Sequence, residues 1–201
     1  MSRPVLALLL LAVFHAVAFG LRTWQHLRAT GSTGFHGVSG RPGSAEWLGG
    51  ALFAVAVALG LAAPIAALLG WTSSGDPGPL AAALGLALTL LGISATYASQ
   101  LGMGDAWRIG VKADDRTRLV VRGPFAVVRN PIFSCMLLTA LGLAIFLPNA
   151  LARAAFVCLL VAVELQVRRV EEPHLERVHG QAYRDYMARV GRFVPGLGLR
   201  R

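Results

Sequence analysis

Charge is scarce in this chain, and acid is scarcer than base. Only 14% of the 201 residues are charged while 55% are hydrophobic, and 19 Lys and Arg stand against 10 Asp and Glu. A soluble domain carries about 25% charge, so an ordinary soluble fold is excluded. Cysteine is equally sparse. Cys135 and Cys158 both lie inside apolar runs and form no C-x-x-C, a spacing that offers neither a disulfide nor a metal site. His174 and His179 lack partners at metal-ligand spacing, so no metal is expected. A nucleotide fingerprint is missing too. Glycine recurs at every third position from Gly31 to Gly40, but no G-x-G-x-x-G follows a strand, and the stretch is too short and proline-poor for collagen. It reads as a flexible loop or as a lid over a neighbouring site.

What is abundant is long apolar sequence. Five runs approach or meet the ~17–25 residues that a spanning helix needs: Pro4–Leu21, Trp47–Trp71, Leu80–Leu101, Pro131–Leu147 and Ala150–Val167. The expected fold is an all-α integral membrane bundle of about five transmembrane helices with a C-terminal amphipathic helix, Pro173 to about Arg189. Residues 1–101 supply three spans and the glycine-rich loop. Residues 102–201 supply a polar loop, a helical hairpin and the C-terminal helix, within one membrane domain. The first run resembles a signal peptide in having Arg3 before Val5–Val13, but its cleavage pattern is poor and four further runs follow; it is expected to be a retained helix. His15 within it is expected to be neutral and bonded inside the bundle. Pro64 should kink the second span, with neighbouring helices meeting the freed carbonyl.

Charge placement orients the bundle. With five spans, seventeen of the nineteen cations fall on one face, leaving only Arg3 and Arg153 on the other. The positive-inside rule then puts the N-terminus outside and the C-terminus in the cytoplasm, in the inner or plasma membrane of the cell. The net charge of +9 is thereby explained by topology and anionic headgroups. The arginines flank spans and form no recognition module, so nucleic acid is not an expected partner.

The last two apolar runs are joined only by Pro148-Asn149, and helices so briefly connected are antiparallel neighbours. That hairpin returns Arg129 and Asn130 to the same face as Arg168, Glu171 and Glu172. Asn130 followed by Pro131 is a helix start, with Asn130 as the cap. Pro173 disfavours helical geometry at Glu172 and should restart a new helix. Glu164, Arg168 and Glu171 follow helical spacing and can share one face.

Gly123-Pro124-Phe125 with Val128-Arg129-Asn130-Pro131-Ile132-Phe133, then Glu171-Glu172-x-x-Leu175, and the tail Gly180-x-x-Tyr183-x-x-Tyr186 with Phe193-Val194-Pro195 resemble the isoprenylcysteine carboxyl methyltransferase family, which is related to the phospholipid N-methyltransferases. The resemblance covers about Gln100 to Pro195. It implies a membrane-embedded methyltransferase that uses S-adenosylmethionine without a Rossmann domain. The implied cofactor contacts are Gln100 at the end of the third span, Trp107, Arg108, Ile109 and Gly110 in the loop, and Phe125. Arg129, Asn130, Pro131, Ile132 and Phe133 follow at the hairpin, then Glu171 and Glu172. Asn130 stands where the family has His, and Phe133 where it has Tyr. Asn130 can donate to a carboxylate but cannot carry a proton.

S-adenosylmethionine needs carboxylates for its ribose or ammonium, a cation for its carboxylate, and aromatic faces. Glu171 with Glu172, Arg129 or Arg108 with the start of the fourth span, and Trp107, Phe125 and Phe133 supply these types. A lipophilic acceptor entering sideways from the membrane is expected. A carboxylate is the favoured nucleophile because it needs no base, with Arg168 as the cation that meets it. Two alternatives stay open: an NADPH-dependent membrane reductase acting on an enone lipid, and a non-catalytic membrane scaffold.

Overall fold

Lipid leaves no water for the backbone, so apolar segments of this length close their polar groups into helices. The computed structural model describes residues 1–35, 37, 40–108 and 118–200. Among them the fold is all-α with no strand; Val128 and Gly191 form an isolated parallel bridge. The helices are α1 (Arg3–Thr30), α2 (Ala45–Leu68), α3 (Gly78–Met103, extended by a 3-10 turn to Ala106) and α4 (Pro124–Val127). After these come α5 (Pro131–Phe146), α6 (Ala150–His179) and α7 (Gln181–Arg189). By length and composition, α1, α2, α3 and α6 can cross a membrane. The 16-residue α5 spans about 24 Å, short of the ~30 Å hydrocarbon core.

Two helices run further than the apolar patterning predicts. α1 continues past Leu21 to Thr30 through a π-helical turn at Ala16–Leu21. α6 continues past Val167 to His179 through a second π-turn, Gln166–Glu171. The expected break at Glu172 does not occur, for Glu172 is helical (φ −59°, ψ −47°). A helical proline clashes with the carbonyl four residues back, and the widened π-turn lies just where that strain falls. The break comes instead at Gly180 (φ 54°, ψ −126°). The expected amphipathic helix Pro173–Arg189 is therefore two pieces, the end of α6 and α7.

α3 packs most extensively on α5, and α2 on α6. The first pairing depends on missing side chains. A Cβ at Gly142 would lie 2.6 Å from Thr89 N, and one at Gly85 would lie 2.7 Å from Phe146 N. In lipid, where apolar contact alone gives helices little reason to associate, such close backbone approach is what holds them together. At the end away from the polar clusters, Arg3 pairs with Asp76 at 2.9 Å. Asn149 caps α6 through Ala152 N (2.8 Å) and donates to Ala63 O (3.0 Å) beside Pro64. His15 Nδ1 bonds Leu11 O at 2.8 Å.

Candidate functional site

The polar end of the bundle is assembled by the chain that enters and leaves the hairpin. Gly123 (φ 59°) turns the backbone into α4, which buries Phe125. Tyr186 of α7 donates its hydroxyl hydrogen to Phe125 O. Beyond α7 the chain doubles back along the start of α5. Arg129 N and Asn130 N donate to Gly191 O (2.8 Å) and Arg192 O (3.1 Å), and Ser134 Oγ donates to Phe193 O (2.7 Å). A Cβ at Gly191 would lie 2.1 Å from Val194 O, so only glycine permits this fold-back. The Gly-Pro-Phe…Arg-Asn-Pro stretch and the Phe-Val-Pro tail are thus one physical unit.

Asn130 does not cap α5 with its side chain, against the sequence expectation. Its amide donates to Arg192 O at 3.2 Å instead, because the folded-back tail presents a carbonyl there. The helix start is marked by Ser134 N bonding Asn130 O at 3.0 Å.

These elements enclose a cavity of about 420 Å³, within the range of ligand sites. Of the residues singled out in the sequence, Gln100, Trp107, Arg108, Phe125, Arg129, Asn130, Pro131, Ile132, Phe133 and Glu171 line it. Ile109 and Gly110 lie outside the described residues. Glu172 and Arg168 are not on the wall.

The adjacent glutamates have separated. Glu171 lines the cavity and accepts a long hydrogen bond from Gln166 Nε2 (3.5 Å). Glu172 is 1% exposed and receives Arg129 Nη2 at 2.7 Å, Arg192 Nε at 2.7 Å and Arg192 Nη2 at 2.9 Å. Arg129 reaches the cavity wall, but its fork is committed elsewhere. Nη1 donates to Met187 O (3.2 Å) and to Val190 O, and Nη2 also donates to Gly198 O (3.1 Å). Arg129, expected as one of two candidates with Arg108 to receive an anion, clamps the tail through its Nη1 and Nη2 while lining the cavity.

Arg168 pairs with Glu164 one turn back, and its side chain is 54% exposed. Arg168 and Glu171 both lie within the π-turn Gln166–Glu171, so the face that α-helical spacing would have given them does not form: Glu171 lines the cavity and Arg168 does not.

Trp107 is held at the wall from outside. Arg22 lies over its ring at 4.9 Å and donates to Gly104 O at 2.6 Å, and His26 meets the ring edge-on at 5.4 Å. Gln100 is 3% exposed; its Nε2 donates to Ala18 O (2.9 Å) while Oε1 has no partner among the described residues. Burial raises the phenols of Tyr183 and Tyr186, the latter to about 12, so both stay neutral donors at the cavity's edge.

Sequence reasoning missed Gln166, His174 and Glu46 on the wall. Gln166 and His174 flank the π-turn on the side of Glu171, a face hidden by counting α-helical turns. Phe35 and Gly37 of the glycine-rich loop also line the cavity.

The family model for phospholipid methyltransferase matches residues 80–182, more than half of the chain. That stretch runs from α3 to the first turn of α7 and contains most of the cavity wall. No curated protein matches the chain.

Proposed function

The chain belongs to the phospholipid methyltransferase family and is a membrane methyltransferase; from that premise we propose that S-adenosylmethionine is the methyl donor, held in the large cavity. The acceptor is a lipophilic molecule, by preference a carboxylate, presented at the cytoplasmic membrane face. The observation that carries this reading is the gathering of Glu171, Arg108, Trp107, Phe125 and Phe133 around one cavity.

The residues suit the donor. The unpartnered Oε1 of Gln100, buried on the wall, calls for a hydrogen-bond donor, and the adenine amino group, the ribose hydroxyls and the ammonium are all donors. Glu171 accepts from the ribose or the ammonium, and Arg108 receives the carboxylate. Trp107, Phe125 and Phe133 offer faces to the adenine and the sulfonium. When bound, the cofactor supplies a methyl group on a sulfonium, which leaves as a neutral thioether when an acceptor lone pair takes the carbon.

The protein's task is then to position the acceptor and exclude water, an effect worth up to ~7–11 kcal/mol of barrier. Asn130 carries no proton, and a carboxylate acceptor needs none removed. The cation facing that carboxylate is Arg118, which lines the cavity, in place of Arg168. The cytoplasmic assignment for this face, with the N-terminus outside the inner or plasma membrane, follows from the gathering of the cations there.

Calorimetry on detergent-purified protein tests the reading, with S-adenosylmethionine and NADPH as separate ligands and Glu171→Ala as the control. Saturable S-adenosylmethionine binding that the variant loses supports it. NADPH binding without S-adenosylmethionine binding overturns it in favour of a reductase, and binding of neither leaves a scaffold.

A further inference from the structure

A second, narrower cavity of about 80 Å³ lies deeper in the bundle, walled by α1, α2, α5 and α6. It shares Phe19, Phe53 and Met136 with the large cavity, so the two adjoin at those side chains. At 1.5 Å per residue, α2 rises about 16 Å from Phe53 to Pro64, the length of wall the narrow cavity follows. That carries it through about half of the hydrocarbon core.

Its wall has almost nothing to offer a headgroup. The Thr139 hydroxyl donates to Cys135 O at 3.0 Å, and His15 Nδ1 bonds Leu11 O at 2.8 Å. The other lining side chains are apolar or absent. Small residues, Ala56 and Gly60 on α2 and Ala155 on α6, leave the space open. A Cβ built on Gly60 meets no atom within 4 Å.

We propose that this narrow cavity is a tail site that admits one apolar chain of the methyl acceptor and has no room for a second. It rests on the reading of the large cavity as the methyl-donor site. A polar reacting group at the junction near Phe53 and Met136 would face the large cavity while its tail ran inward along α2. Its volume, about 80 Å³ against about 420 Å³ for the large cavity, favours a single-chain lipid over a two-chain phospholipid.

The test uses a palmitate analogue with a diazirine near its methyl end, photo-crosslinked to full-length protein in detergent and mapped by mass spectrometry. Crosslinks are expected on the deep walls, near Ala63 and Ala152. Excess palmitate should remove them and dioleoylphosphatidylcholine should not. Gly60→Leu, which fills the open space, should cut this labelling about tenfold, and Gly60→Ala should cut it less. Labelling that is unchanged in Gly60→Leu, or that the two-chain lipid competes equally well, overturns the proposal.

S-adenosylmethionine calorimetry on the same preparations separates the two readings. If the cofactor binds and the crosslinks ignore Gly60, only the tail site falls. If the cofactor does not bind wild-type protein, the donor-site reading falls first. A Gly60→Leu protein that cannot bind cofactor is misfolded, and the Gly60→Ala result then decides.

Discussion

Arg129 Nη2 lies 2.7 Å from Glu172 Oε1, with the two side chains 1% and 2% exposed. A buried pair like this adds little over an apolar substitute, but breaking it strands a charge, at a cost of about 3–5 kcal/mol. Glu172→Ala leaves both Arg129 and Arg192 uncompensated. Thermal unfolding in detergent should show a large drop in Tm, and limited proteolysis should cut the chain after Val190. Glu172→Ala with unchanged Tm would show that the clamp does not hold the tail.

Gln100 makes the opposite prediction. Its Oε1 is buried with no partner among the described residues, a state that costs about 1–3 kcal/mol. Gln100→Met keeps the length and removes the orphan acceptor. The ligand-free protein should unfold at the same or a higher temperature, while S-adenosylmethionine affinity falls about tenfold. Lower stability together with unchanged affinity would remove Gln100 from the site.

Gly142 tests the bundle itself. Leucine there would drive a side chain into Thr89 N and Gly85 O, which already lie 2.6 and 2.7 Å from a built Cβ. Overpacking typically costs about 1–3 kcal/mol, and backbone neighbours cannot yield as side chains do. Gly142→Leu should lower Tm sharply or abolish folded yield in size-exclusion chromatography. Gly60→Ala, set in open space, should be tolerated.

Tyr186 sets an alkaline limit. Burial raises its phenol to about 12, against about 10 in an unfolded chain. A group whose folded pKa is raised contributes stability that is complete below the unfolded value and lost as pH climbs through the folded one. Tm should therefore hold to about pH 10 and fall toward pH 12. Tyr183 shifts the same way, also through burial, so Tyr186→Phe should flatten part of that fall. Its lost bond to Phe125 O should cost about 1 kcal/mol at neutral pH. An unaltered pH profile in the variant would contradict the assignment.

The all-α membrane class, the hairpin and part of the cavity wall were legible in the sequence, because apolar length and a two-residue connection constrain the chain strongly. Ten of the singled-out residues, from Gln100 to Glu171, line one cavity. The errors share a cause. Treating Glu171 and Glu172 as a pair ignored that neighbours on a helix point about 100° apart, so one faces the cavity while the other meets the arginines. The cap at Asn130 rests on cap preference, the break at Glu172 on the residue-before-proline rule, and the face shared by Arg168 and Glu171 on α-helical counting, each a rule about neighbours in sequence. A π-turn and a folded-back tail override those rules, and no local propensity announces either one.

The π-turn at Gln166–Glu171 gives α6 two independent registers. Upstream, Ala155 and Leu159 are buried in the apolar interior; downstream, Glu171 and His174 line the cavity. A regular helix would bind these demands together, since turning one end to suit the lipid would swing the other away from the ligand. The widened turn acts as a coupling with slip. The membrane half can drift in sequence and packing while the half at the cavity keeps its aim.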